Sequence, residues 1–426
     1  FESCFRRLTL RPMRQFLTRA GDILSRPRLI FWVYVIAAAA VAVQRYVQPV
    51  KHGWTGYNNF LIFRESFFHL IKGWNLYVPY PDAHQDVFKY SPTFALFMAP
   101  WSVLPDLPGV VLWNVFNTWM VFFALRRLRG LAYRHKVVIL WMVLIEALTS
   151  AFQTQTNGMI AGLMIMCYNA AESGRFRRAA FWAVAAGFIK IFGAIVGLLL
   201  LLYPQRLKAL TWGAFWAVVL LFLPLLVVSP ADLAAQYAGW QKIIGIDYAS
   251  KGYISLIGMT EMWAGRSLSP DGRLIVQCAA LAVLVLPALL RYGLWQRRAF
   301  RLTYLAAILM WVILFNHRSE SPTYVVAVCG ACVAYFSLPR RTRLLTALMA
   351  LMMILTVLSP TDVFPRALRE AYVYPYGLKA LPVALIWIYC MVELCVATFP
   401  SETQSLELQA VGSSEFDIEL PPRIGR

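Results

Sequence analysis

Between Tyr80 and Phe94 the chain reads YPDAHQDVFKYSPTF, so Asp82, His84, Asp86, Lys89 and Tyr90 share one short loop directly ahead of an apolar run. A carboxylate beside a cation can do group-transfer chemistry: the carboxylate takes the proton of an attacking hydroxyl while the cation stabilises an anionic leaving group. The bland alternative is a solvated loop. A second polar group, FNHRSESPTY from Phe315 to Tyr324, lies between two apolar blocks and offers His317, Arg318 and Glu320. Ionisable residues near membrane depth are functional candidates by default, and the competing account is a solvated turn closed by an Arg318–Glu320 pair. Third comes Lys190, alone in the apolar block around GFIKIFG. An ammonium there must snorkel to the interface, pair, or meet an anion such as phosphate. Asn157 in QTQTNGM can cap the helix that follows or bind a ligand, and capping is the commoner role. Glu146 and Glu393 fall in apolar spans, where the sequence identifies no partner.

These residues are carried by 426 residues of which 60% are hydrophobic and only 14% charged, against roughly 25% charged in soluble domains. The chain reads as an integral membrane protein. Apolar blocks near the roughly 20 residues that cross a bilayer as helix recur along it, which predicts an all-α, polytopic helical bundle rather than a barrel. Counting the block from Ala179 to Tyr203 as a hairpin of two short helices broken at Lys190 gives about twelve transmembrane helices. The segment from Ser91 to Leu104, interrupted by Pro92 and Pro100, reads as a broken or re-entrant helix.

The formal charge of +19 sits in short clusters between apolar blocks, among them RRLRGLAYRHK, SGRFRR, PQRLK, WQRRAFR and LPRRTR. That placement is topological information and gives no reason to expect a nucleic-acid partner. It predicts a cytoplasmic basic arm over residues 1–28, a single transmembrane domain over 29–398 with outer loops 48–91 and 229–273, and a disordered cytoplasmic tail over 399–426. Within the first outer loop, Phe60, Phe63, Phe67, Phe68 and Ile71 recur at helical spacing, which predicts an amphipathic helix resting on the membrane surface. Arg64 falls on that apolar face and must snorkel or meet an anion. The seven cysteines, including Cys329 and Cys332 in CGAC, read as small hydrophobes rather than a metal or redox site. A Walker A loop, a Rossmann GxGxxG, an HExxH and a DxD-type acidic pair are all missing, which leaves a soluble nucleotide-sugar or ATP site unsupported. No cofactor is called for, and a divalent cation is left open.

Five segments in order, NNFLIFRESFFHLIKGWNLY, FKYSPTFALFMAPWSVLP, LWNVFNTWMVFFAL, QTNGMIAGL and GFIKIFGAIVGLLLLLYPQRLKAL, resemble glycosyltransferase family 87. This is the polyprenol-phosphate-mannose-dependent, mannosyltransferase-like group (DUF2029) of the GT-C superfamily. The resemblance implies a GT-C-type bundle whose first outer loop helps form the active site, a polyprenyl-phosphate sugar as donor, and an inverting displacement that needs one carboxylate base. Relatives place an aspartate where this chain has Asn59. Asparagine cannot serve as base, which leaves a base relocated to Asp86 or Glu65, a base from another chain, or an inactive protein. The similarity of HQDVFKYSP to branches with paired asparagines makes Asp86 the first choice and gives Asn58 and Asn59 the task of orienting hydroxyls. Lys89, Arg64, Lys190 and Arg318 are then candidates for the donor phosphate, with His84, Tyr90, Asn157, His317 and Glu320 as further substrate contacts.

The expectation is therefore an inner-membrane glycosyltransferase acting on the outer face, whose partners are the lipid-linked donor, a lipid, glycan or protein acceptor, and membrane lipids. A transporter or flippase of lipid-linked sugars, or a non-catalytic relative that binds them, is the competing expectation. Against a transporter stands the lack of an evident internal repeat.

Overall fold

The structure, a computed structural model, describes residues 21–49, 54–248 and 254–400. The expectations for residues 1–20 and for the tail from residue 401 lie outside the described residues. In chain order the helices are α1 (Pro27–Val47), α2 (Asn58–Ile71), α3 (Pro92–Phe97), α4 (Asp106–Arg126), α5 (Tyr133–Phe152), α6 (Asn157–Ala171), α7 (Phe176–Ile189) and α8 (Arg206–Phe222). They continue with α9 (Pro230–Tyr248), α10 (Leu256–Ala264), α11 (Pro270–Leu290), α12 (Arg298–Leu314), α13 (Tyr324–Ser337), α14 (Arg343–Met352) and α15 (Leu381–Val396), and no strand forms among the described residues. Local chemistry sets several boundaries. The Ser91, Ser255 and Ser269 hydroxyls accept the amides of Phe94, Gly258 and Gly272 at the starts of α3, α10 and α11, satisfying donors that have no intrahelical partner.

The core lies where α6, α12 and α13 meet their neighbours. In α6 every residue but Met166 is buried, and in α13 every residue but Tyr335 and Phe336. Such all-round burial marks central helices packed against protein. Gly158 and Gly162, four apart on α6, let it lie directly on α4: a Cβ at either would stand 2.8 Å from a backbone oxygen, of Asn117 and Met120 respectively. This is the close approach that small residues at i and i+4 permit between membrane helices.

Five described helical stretches, Pro27–Val47, Asp106–Arg126, Tyr133–Phe152, Arg206–Leu226 and Pro270–Leu290, are long and apolar enough to cross a membrane, so the count of about twelve is not reproduced by that measure. The shortfall has a physical reason. The central helices α6 and α13, of 15 and 14 residues, are solvated by protein on nearly every side, so bilayer thickness does not dictate their apolar length. The segment after Ser91 forms two short helical pieces, Pro92–Phe97 and Ala99–Ser102. Six and four residues of helix together reach only about 15 Å, too little to cross alone.

The apolar block around Lys190 is broken, as its lone lysine implies. Helix α7 stops at Ile189, Lys190 adopts an extended conformation (φ −136°, ψ 119°), and the chain returns through a 3₁₀ turn, Ile191–Val196, and a short helical piece, Gly197–Leu200. The return is tight, since a Cβ on Gly193 would meet Ala186 O at 2.7 Å. Tyr203 then donates to Glu172 at 2.6 Å, back beside the start of α7. Lys190 is therefore the tip of a helical hairpin.

Basic loops collect at the hairpin's base. Glu172 accepts from Arg298 and Arg301, the Tyr168 hydroxyl reaches Arg129 O, and Arg341 approaches His135. The loops with mixed charge collect at the opposite end, around the tip. Helix α2 forms as its spacing predicts, and protein covers the first part of its apolar face: Phe60 and Phe63 are buried, and Phe63 packs its ring 5.0 Å from Tyr90, 5.5 Å from Phe94 and 5.7 Å from Trp113. Further along the same face Phe67 and Phe68 are half-buried and Ile71 is exposed. Replacing Gly162 with Val forces α4 and α6 apart and is predicted to destabilise the bundle by about 1–3 kcal/mol, read as a lower thermal midpoint in detergent. An unchanged midpoint would contradict the close contact.

Candidate functional site

A cavity of about 1420 Å³ opens at the tip of the hairpin. Among the residues singled out in the sequence, Asn59, Asp86, Lys89, Tyr90, Lys190, His317, Arg318 and Glu320 line it. They arrive from four places in the chain: the start of α2, the 80–91 loop, the hairpin tip and the turn between α12 and α13. Asn58, Arg64, Glu65, His84 and Asn157 are not on its lining.

Each of those five has a structural task instead. Arg64 donates to Glu65 at 2.8 Å and pairs with Asp106, which also takes the Tyr57 hydroxyl at 3.0 Å. Arg64 therefore meets two carboxylates, and Glu65 is engaged by that arginine away from the cavity. Asn58 accepts the Gln85 amide at 3.0 Å, and His84 is buried with Nδ1 2.7 Å from Asp86 O. Burial holds the His84 imidazole below its ordinary pKa despite that contact. Both residues shape the loop that presents Asp86. Asn157 does not cap α6, since Thr156 occupies the N-cap with no side-chain bond; its side chain faces Lys190 and Gln155.

That last contact organises the cavity floor. Lys190 Nζ donates to Asn157 Oδ1 at 2.7 Å, Asn157 Nδ2 donates to Gln155 Oε1 at 2.7 Å, and Gln155 Nε2 donates to Glu320 Oε2 at 3.0 Å. An ammonium at one end and a carboxylate at the other are thus linked through two amides. The ammonium also stands 5.8 Å from the Tyr90 ring centroid and 5.7 Å from that of Phe192, within cation–π range. Glu320 takes the Gln155 amide through Oε2. At the rim, the Asp86 carboxylate accepts from Lys89 Nζ at 3.2 Å and from the Val87 amide at 2.7 Å, and remains 45% exposed. Trp240 Nε1 donates to Lys89 O and Gln277 Nε2 to Phe315 O, so α9 and α11 hold the two polar segments in place.

Residues passed over in the sequence complete the wall: Gln153, Gln155, Trp240, Gln277 and Asn316. Their clearest signal was QTQTNG itself, two glutamines between apolar spans. Between them Thr154 adopts φ +49°, the one positive φ outside glycine among the described residues. Such a conformation costs a β-branched residue on the order of 1–3 kcal/mol and persists only where surroundings impose it. Here Trp113 Nε1 donates to Thr154 O at 2.9 Å and Asn59 Nδ2 to Gln153 O at 2.7 Å. Asn59 is therefore a strut for this loop.

Away from the polar tip the cavity is apolar. Ala180, Ala183 and Val184 on α7, Ile195, Leu198 and Leu201 on the returning arm, and Leu210, Gly213 and Ala214 on α8 form a wall that runs along the hairpin toward the basic end. A polar tip thus joins a long apolar groove inside an all-helical bundle with membrane-length helices, the architecture of a membrane protein. Residues 88–316, more than half of the chain, match glycosyltransferase family 87, and the chain belongs to that family. It is accordingly a membrane glycosyltransferase. No curated protein matches it.

His317 gives the site a pH signature. Burial, followed by the nearby Arg273 charge, lowers its pKa to about 4, from an ordinary value of about 6.5. The folded protein then binds fewer protons than the unfolded chain, so this contribution to stability is present above about pH 6.5 and is lost as pH falls through about 4. His317→Gln is expected to flatten the decline of the thermal midpoint across that window, and an unchanged acid slope would contradict the assignment.

Proposed function

We propose that the protein transfers a sugar, mannose or a similar hexose or pentose, from a polyprenyl-phosphate donor to a lipid, glycan or protein acceptor. The observation that carries this reading is the form of the cavity. Cations and carboxylates gather at the hairpin tip, where a sugar phosphate fits, and the apolar wall of α7, the returning arm and α8 suits an isoprenoid chain. The polar part of the cavity lies at the end opposite the basic loops. With those loops cytoplasmic under the positive-inside rule, the site faces the outer side of the inner membrane and both termini are cytoplasmic.

In the proposed inverting GT-C reaction the acceptor oxygen bonds to the anomeric carbon as the bond from that carbon to the phosphate oxygen breaks. The electron pair leaves with the phosphate, and Lys190, Lys89 and Arg318 balance its charge. Asp86 receives the acceptor's proton: its position on the rim leaves it open to an incoming hydroxyl, and Lys89 and the Val87 amide fix the orientation of its carboxylate. Glu320 and His317 line the same space, Glu320 as the far anchor of the amide relay that orients Lys190.

Purified protein in lipid, supplied with labelled polyprenyl-phosphate sugars, should form a covalent product and release polyprenyl phosphate. Translocation of intact donor without transfer would overturn the reading. Asp86→Asn is expected to lower kcat by about 10²–10⁴-fold with the thermal midpoint retained. Lys190→Ala is expected to raise KM for the donor by about tenfold or more, as loss of a charge-assisted bond to phosphate would; wild-type constants in either variant would remove that residue from the mechanism.

A further inference from the structure

Behind the cavity wall lies a buried ion pair that the transfer chemistry does not use. Lys379, in the segment leading into α15 and beyond the residues that match the family, points its ammonium at Glu146 of α5, 233 positions away, with Nζ 2.8 Å from Oε1. Both side chains are buried, Glu146 completely. The same ammonium donates to Ser321 Oγ at 2.8 Å and stands 5.1 Å from the Tyr324 ring centroid. Its backbone is fixed by the Thr356 hydroxyl, which donates to Lys379 O at 2.8 Å.

Ser321 directly follows Glu320. The turn they share is braced at both sides, by the Thr323 hydroxyl donating to Glu320 O at 2.7 Å and by the Ile254 amide donating to Ser319 O at 2.8 Å. Its inner face rests on Lys379. A buried ion pair contributes little net stability relative to apolar residues of similar volume, because desolvation offsets the attraction. The directional bond to Ser321 is what an apolar pair could not supply. We propose that Lys379, held by Glu146, is a positioning residue that sets the 319–323 turn so that Glu320 meets Gln155 and the amide relay aims Lys190 into the cavity. The consequence for catalysis rests on the reading of this cavity as the transfer site; the consequence for the turn does not.

Two measurements separate these. The double variant Glu146→Gln/Lys379→Met leaves no stranded charge and is expected to keep a thermal midpoint near that of the wild type. Its kcat should nonetheless fall about tenfold or more and its KM for the donor should rise, while Lys379→Arg alone retains most turnover. A double variant with wild-type kcat and KM would overturn the proposal. Independently of any sugar transfer, a Glu320→Cys thiol, in protein whose exposed Cys278 is Ser, reports order in the turn through its rate of labelling by a membrane-impermeant maleimide above the parent lacking it. Adding Glu146→Gln/Lys379→Met, with the thermal midpoint checked in parallel, should raise that rate several-fold, and an unchanged rate would overturn the proposal. A raised rate in a protein that transfers no polyprenyl-phosphate sugar would uphold the positioning role and sink only the functional reading.

Discussion

Everything at the polar end depends on how one lysine side chain is held at the tip of an apolar hairpin. Lys190 stands at the tip of a hairpin whose arms are almost wholly apolar, where an unsolvated ammonium costs several kcal/mol. The bond from Nζ to Asn157 Oδ1 answers that cost with an amide oxygen, and the amides of Asn157 and Gln155 pass the polarisation on to Glu320. Chains of hydrogen bonds strengthen one another at low dielectric. A second lysine, the buried Lys379, instead meets a carboxylate, that of Glu146, behind the cavity wall. Lys190 lines the cavity, and Lys379 serves the scaffold.

The relay also explains the surrounding architecture. It joins the hairpin tip, the start of α6 and the turn ahead of α13, segments brought together only because α6 and α13 are central and packed on nearly all sides. Gly158 and Gly162 draw α6 onto α4, which places Trp113 where its indole holds Thr154 O and fixes the strained loop carrying Gln155. At the far end of the same hairpin, Glu172 gathers Arg298, Arg301 and Tyr203. The hairpin is thus pinned at both ends by polar contacts, and the apolar wall between them is free of that task.

Helical class and membrane character were legible in composition, because an apolar chain must satisfy its backbone within each segment. The break at Lys190 was legible too, since a lone lysine in a long apolar block requires an exit. The residues of the 80–91 loop and of the 315–324 turn were each visible as polar clusters, but nothing in the sequence brings them together. That requires the path of the chain through α6, α7 and α13. Gln155 escaped notice because glutamine in a loop is chemically ordinary, and its partner Glu320 lies 165 positions away. Glu146 stood out as a buried carboxylate, yet Lys379 could not be paired with it by spacing. The burial of Phe60 and Phe63 on α2 was not legible for a related reason: periodicity gives the direction of an apolar face and is silent on what lies opposite.

The most direct test of this account is a structure of the protein with a polyprenyl phosphate bound in a lipid environment. The account predicts the phosphate within hydrogen-bonding distance of Lys190, with the isoprenoid chain lying along Ala183, Leu198 and Gly213. A phosphate seated among Arg297, Arg298 and Arg301 at the opposite end, with the hairpin tip empty, would contradict it.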